Sequence, residues 1–161
     1  MTAYEIYNHI YKRLNNVTPI NADCGQLCNK ACCKGDENTG MYLFPHEEVM
    51  LKGDNFSIKE TNGKKLCICN GSCDRNSRPL SCRIFPLIPY IGKDGKFSVI
   101  FDHRAKGVCP IAYANVFENL DPEFIKRVRE ASALLIKFKD IKNFIYEISR
   151  ECDEYKNYFT L

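Results

Sequence analysis

Residues 3–14 carry Ala3, Ile6, Tyr7, Ile10, Tyr11 and Leu14 on one stripe, with Glu5, Asn8, Lys12 and Arg13 opposite. Apolar positions three and four apart predict an amphipathic helix packed on a core, and Pro19 marks where it has ended. A different period follows. Phe56 and Ile58 alternate with polar residues, Asn62-Gly63 is a type I′ turn signal, and Leu66 and Ile68 alternate on the return. This predicts a hairpin over 56–69. A second hairpin is expected over 87–101 around Asp94-Gly95, with Ile88 and Tyr90 on one arm and Phe97, Val99 and Phe101 on the other. Before the first hairpin, Phe44 to Leu51 reads as a short helix with Pro45 at its first position and Glu47 and Glu48 on a solvated start. Between the hairpins, Arg78-Pro79-Leu80-Ser81-Cys82-Arg83-Ile84-Phe85-Pro86 reads as one helical turn pinned between prolines.

From about residue 111 the character changes: glycine vanishes and only Pro122 remains. Asp121-Pro122-Glu123 combines a cap, a first-position proline and an acid in the first turn, so a helix starts there. Phe124, Ile125, Val128, Ala131 and Leu135 continue its apolar face; Ile141, Phe144, Ile145, Ile148, Cys152 and Tyr155 mark another helix. The expected class is α+β: a small cysteine-rich metal-binding core with short antiparallel hairpins, an N-terminal helix and a C-terminal helical pair. With 161 residues the chain suits a single domain, 1–161. Within it, 20–112 would form the cysteine-cluster core and 113–161 a helical extension.

Ten cysteines in 161 residues are several times the ordinary share, so something other than packing placed them. The formal charge of +3 is too small to argue for nucleic acid or an acidic membrane surface. No apolar run reaches the length of a membrane span. The stretch from Met1 to Ile10 is amphipathic and unlike a secretory leader, which leads to the expectation of a cytoplasmic protein. Thiols there stay reduced, and clustered cysteines are metal ligands or redox groups more often than disulfides.

Nine of the ten lie between positions 24 and 109: Cys24, Cys28, Cys32, Cys33, Cys67, Cys69, Cys73, Cys82 and Cys109. Cys152 stands apart on a helical face as a small hydrophobe. Thiolates are ligands for zinc and for iron–sulfur clusters, and short cysteine spacings deliver two ligands from one turn. Nine suffice for one site with spares or for two four-thiolate sites. A helical or turn-like backbone would aim Cys24, Cys28 and Cys32 the same way and Cys33 roughly 100° away, toward a different partner. No pair is spaced as in zinc ribbons and no run as in bacterial ferredoxins. The cofactor expected is therefore zinc or an iron–sulfur cluster, with identity open. His46 and His103 are possible but less favoured ligands, since thiols are in excess. The sequence carries no G-x-G-x-x-G, P-loop or H-E-x-x-H pattern and points to no protein partner.

The run Cys24 to Cys33, the cysteines near 67–73 and the segment Arg78 to Pro86 together resemble the YkgJ-type cysteine-cluster family. Arg78, Pro79, Cys82, Arg83 and Pro86 match that family's R-P-x-x-C-R-x-x-P segment residue by residue, and the resemblance covers roughly 20–112. It implies a zinc- or iron-chelating domain. One relative, the flagellin lysine N-methylase, carries a similar cluster, so an iron–sulfur methyltransferase or redox enzyme is an alternative, and metal delivery another. Both Cys67 and Cys69 stand where one cysteine is usual, so either can be the ligand. Arg78 and Arg83, beside Cys82, are expected to donate hydrogen bonds to sulfur and offset thiolate charge.

Overall fold

The computed structural model describes residues 1–52 and 55–159. Helix α1 (Ala3–Leu14) opens on a capping box: the Glu5 amide donates to Thr2 Oγ1 at 3.3 Å and the Thr2 amide to Glu5 Oε2 at 2.7 Å. It buries Ile6, Tyr7, Ile10, Tyr11 and Leu14, the predicted stripe. Strands β1 (Met41–Tyr42), β2 (Phe56–Thr61) and β3 (Lys64–Cys69) form an antiparallel sheet in the order β1-β3-β2. Asn62 and Gly63, at φ 52° and 73°, make the turn that sets Thr61 opposite Lys64 and Phe56 opposite Cys69. β1, too short to register in the hydrophobic pattern, pairs Met41 with Cys67. Gly40 precedes it because a Cβ there would lie 2.4 Å from the Cys67 carbonyl oxygen.

Helix α2 (Leu80–Ile84) is the helical turn expected between prolines. β4 (Leu87–Ile91) and β5 (Phe97–Phe101) form the second hairpin. The chain beyond β5 folds into two short helical turns. Asp102 caps a 3-10 turn over His103–Gly107, accepting from the Arg104 amide at 2.9 Å, and α3 (Pro110–Ala114) follows with proline at its start. Helices α4 (Pro122–Leu135) and α5 (Lys139–Phe159) are the predicted pair. Asp121 Oδ1 accepts from the Glu123 and Phe124 amides at 2.8 and 3.1 Å at the head of α4. Among the described residues the fold is therefore five α-helices and two small antiparallel sheets, a mixed α and β protein.

What holds it together differs from the cysteine-rich core expected. One continuous hydrophobic core runs through α1, Phe44, α2, both arms of the β4–β5 hairpin, α4 and α5; among the cysteines only Cys152 joins it fully, with Cys109 at its edge. α5 packs along β4, α4 against β4 and β5, and α1 against α4. Phe144 of α5 meets Phe44 at 5.2 Å between ring centres. Ser149 Oγ accepts from the Ile91 amide at 3.0 Å. Helices α4 and α5 thus share the main core with α1.

The helix expected over 44–51 is instead a 3-10 turn, Glu47–Met50. His46 at φ 66° breaks the backbone path, leaving Pro45 outside, where its carbonyl accepts from Tyr7 Oη at 2.7 Å. Glu47 is not solvated but completely buried, at 0 % exposure. Its carboxylate accepts from the Phe44 amide at 3.0 Å, from Tyr11 Oη and from the Leu80 amide, joining α1 to the start of α2. Burial raises its pKa, and the three donated hydrogen bonds oppose that rise. Glu48 is half-buried, with Oε1 pairing with Lys65 at 2.6 Å and Oε2 turned inward.

Candidate metal centre

Residues 24–33 do not form one helix. They make two 3-10 turns, Cys24–Gln26 and Ala31–Cys33, parted by Asn29 and Lys30 at φ 51° and 55°. Asp23 Oδ1 caps the first by accepting from the Gly25 amide at 3.1 Å. The loop closes tightly, the Lys30 amide donating to Gly25 O at 2.8 Å and the Ala31 amide to Cys28 O at 3.1 Å. Cys28 Sγ donates to Cys24 O at 3.9 Å. Of the helical and turn-like backbones expected, the structure has the turn-like one. Cys24, Cys28 and Cys32 line one small pocket, and Cys109 joins them from the start of α3. The Cys109 amide donates to Ala105 O at 2.7 Å, which fixes its approach.

Cys33, one peptide further on, belongs elsewhere. A β-bridge between Lys34 and Asn70 lays this segment beside the end of β3. Cys69 closes that strand, and Cys73 follows a turn through Gly71 at φ 89°, a left-handed conformation suited to glycine. Cys82 comes from α2. Cys67 lies two residues before Cys69, so both sit on one face of β3. Cys67 is buried at 3 % exposure, whereas Cys69 borders an open groove with Cys33.

The electrostatics follow these groups and join them at Cys32 and Cys33, whose sulfurs share a hydrogen bond. Burial raises the Cys24 pKa, and the Cys109 and Cys28 thiolates raise it further. Cys32 is pushed up and Cys33 pulled down, because the Cys32 thiol donates to the Cys33 sulfur; Arg78 and Lys30 also favour the Cys33 thiolate. Burial raises Cys69, with Cys73 and Cys33 adding repulsion. Cys82 is driven well up by burial, then by Cys67, Cys33 and Cys73. Cys67 is pushed up to about 12 by burial and by the Glu47 carboxylate.

Arg78 sits among the second group. Burial opposes its charge, but a hydrogen bond to Cys73 and the nearby Cys33 and Cys82 hold its pKa above the ordinary value. Its Nε is buried without a partner. Arg83 goes another way. It donates to Arg78 O at 2.7 Å, Asn76 O at 2.8 Å and Asn15 Oδ1 at 2.5 Å, and its guanidinium stacks 3.9 Å from the Tyr11 ring centre. Its hydrogen bonds go to oxygen rather than sulfur, so Arg83 braces the segment instead of neutralising thiolates. Arg75, which the sequence reading passed over, does likewise, donating to Asn15 O and Val17 O at 3.0 and 2.7 Å beyond the end of α1. His46 pairs with Asp140 at 3.6 Å, and His103 stacks on Tyr155 at 6.5 Å.

All ten cysteines are free thiols. Among the described residues, no group of three or more His, Cys, Asp or Glu is drawn together so that it could hold a metal ion as it stands. The thiols share two neighbourhoods rather than two points. Their chemistry nonetheless fits a cation: each deprotonation raises the cost of the next, and a bound ion reverses that repulsion. Among the described residues, no helix is long and apolar enough to cross a membrane. Compared with known proteins, the chain matches no family model, no curated protein and no solved structure.

Proposed function

We propose that the chain is a metal-binding module of the YkgJ type, with two four-thiolate centres. One is held by Cys24, Cys28, Cys32 and Cys109, the other by Cys33, Cys69, Cys73 and Cys82. The observation that carries this reading is the gathering of eight thiols, from four separate stretches of chain, into two adjoining neighbourhoods that meet at the hydrogen-bonded Cys32–Cys33 pair. Cys69 rather than Cys67 is the ligand, because it stands beside the Cys33 segment while Cys67 is enclosed next to Glu47.

Zinc and an iron–sulfur cluster both accept this donor set. With two zinc ions, eight thiolates would take the formal charge from +3 to −1, and Arg78 would offset part of the excess at the second centre. Four protein thiolates leave no open coordination position, which suits a structural role over catalysis. A reduced cytoplasmic setting fits ten free thiols. Elemental analysis and a visible spectrum of anaerobically purified protein test the reading. Two zinc ions per chain without colour, or iron and sulfide with a visible absorption band, support it. Protein that is folded but retains no stoichiometric metal refutes it.

A further inference from the structure

We infer that Cys69 and Cys73 form a reversible dithiol–disulfide pair, oxidised by small disulfides dissolved around the protein. The pair goes beyond the metal reading and needs no ion. It spans a C-x3-C turn held at both ends. Asn70 bridges Lys34, and its amide donates to Asn55 O at 3.2 Å. Gly71, at φ 89°, reverses the chain. Just past Cys73, Asp74 Oδ1 accepts from the Asn76 amide at 3.1 Å and starts the turn Arg75–Ser77. Between these anchors the Cys69 and Cys73 sulfurs share a hydrogen bond, so a short approach brings them to the roughly 2.05 Å of an S–S bond. The Gly71 amide donates to the Cys69 sulfur and Arg78 to the Cys73 sulfur. Both residues are half-buried, and Cys69 borders the open groove, where a dissolved molecule can meet it.

The neighbouring thiols are placed less well. Cys28 has the same spacing from Cys24, but its sulfur donates to the Cys24 carbonyl at 3.9 Å. Cys32 and Cys33 share a hydrogen bond, yet adjacent Cα atoms lie about 3.8 Å apart, short of the roughly 4.4–6.8 Å that disulfides span. Cys33 acts on Cys69 through charge, Cys73 through a hydrogen bond as well. Cys67 is shut away at 3 % exposure. The exchange runs in two displacements. The Cys69 sulfur bonds to one sulfur of the dissolved disulfide, whose S–S bond breaks; the other sulfur leaves and takes the Cys69 proton. The Cys73 sulfur then bonds to Cys69, the mixed S–S bond breaks, and the second small thiol leaves with the Cys73 proton. Two electrons pass from the pair to the dissolved disulfide, which becomes two thiols. In a reduced compartment such a bond is transient and signals oxidation.

The test uses the full chain with its metal content measured first, then mixed with 2-hydroxyethyl disulfide in the presence of EDTA. Free thiols are alkylated at intervals, disulfides are reduced and labelled a second time, and peptides are read by mass spectrometry. Cys69 and Cys73 should acquire the second label together, several-fold faster than Cys24, Cys28 and Cys32, which share their spacing. In urea that preference should vanish. Cys73→Ser should instead accumulate a lasting mixed disulfide on Cys69. Equal rates for all these cysteines in the folded chain, pairing of Cys69 with Cys33, or no adduct in Cys73→Ser would overturn the inference. Its failure is separable from that of the metal reading. A chain purified without metal that forms the pair supports this inference and refutes the other, whereas a metal-bearing chain that forms no pair after EDTA refutes this one alone.

Discussion

Glu47 offers the sharpest test of how the cysteine segments are held. Glu47→Ala removes a fully buried carboxylate that accepts from the Phe44 amide, the Leu80 amide and Tyr11 Oη. Each buried donor left without a partner costs about 1–3 kcal/mol. Water entering the space vacated by the side chain recovers part of that, so a net loss of about 3–6 kcal/mol is expected. Domains of this size are stable by about 5–15 kcal/mol, so the variant should remain folded in buffer with its urea midpoint sharply lowered. Glu47→Gln keeps the shape and one acceptor oxygen but turns an NH2 group toward a donor, and should lose about 1–3 kcal/mol. Because Leu80 opens the turn that carries Cys82, Glu47→Ala should also bind metal less tightly. Urea unfolding followed by circular dichroism gives the stability, and metal retention after dialysis the second effect. A Glu47→Ala midpoint equal to wild type would refute the claim that this carboxylate ties α1 to α2.

Three further outcomes follow from the geometry. Gly40→Ala places a methyl carbon 2.4 Å from the Cys67 carbonyl oxygen; backbone cannot yield cheaply, so a loss of about 1–3 kcal/mol is expected, and an unchanged melting temperature would contradict it. His103 has its pKa lowered from the ordinary 6.5, first by burial and then by Lys106 and Lys156. The unfolded chain therefore takes up the proton first, and this residue's contribution to stability is complete above pH 6.5 and is lost as pH falls through its lower folded pKa; an imidazole NMR titration with a midpoint at or above 6.5 would refute this. Chelation of metal from the loaded protein should increase amide exchange in residues 24–33 and 69–82 while the far-ultraviolet signal of α1, α4 and α5 persists, since of the core residues only Leu80 falls within those stretches. Complete unfolding, or no change in exchange, would count against that division.

The elements legible in the sequence were those whose reasons are local. The α1 stripe, the Asn62-Gly63 turn and the Asp121-Pro122 start each need only a few neighbouring residues, and each forms as expected. Glu47 was misread because its partners Tyr11 and Leu80 lie 36 and 33 residues away, and nothing near it signals burial. Arg83 was assigned to sulfur by its closeness to Cys82, yet Asn15, 68 residues away, takes its guanidinium. Strand β1, of two residues, is too short to show a period. For the thiols, the angle between adjacent side chains led to the expectation that Cys33 turns to a different partner from Cys32, yet their sulfurs share a hydrogen bond. That Cys109 completes the first group, and that Cys67 lies shut away, depended on how β3 and α3 are placed in space.

The sharing of one core by the first helix and the last two also bears on biosynthesis. α1 leaves the ribosome first, but its partner α4 begins only at Pro122. Its apolar face, with Ile6, Tyr7, Ile10, Tyr11 and Leu14, meets the Glu47–Met50 turn and α2 earlier, but the part that packs on α4 must wait until most of the polypeptide has been made. A chain ending before Pro122 would therefore leave part of that apolar stripe facing water.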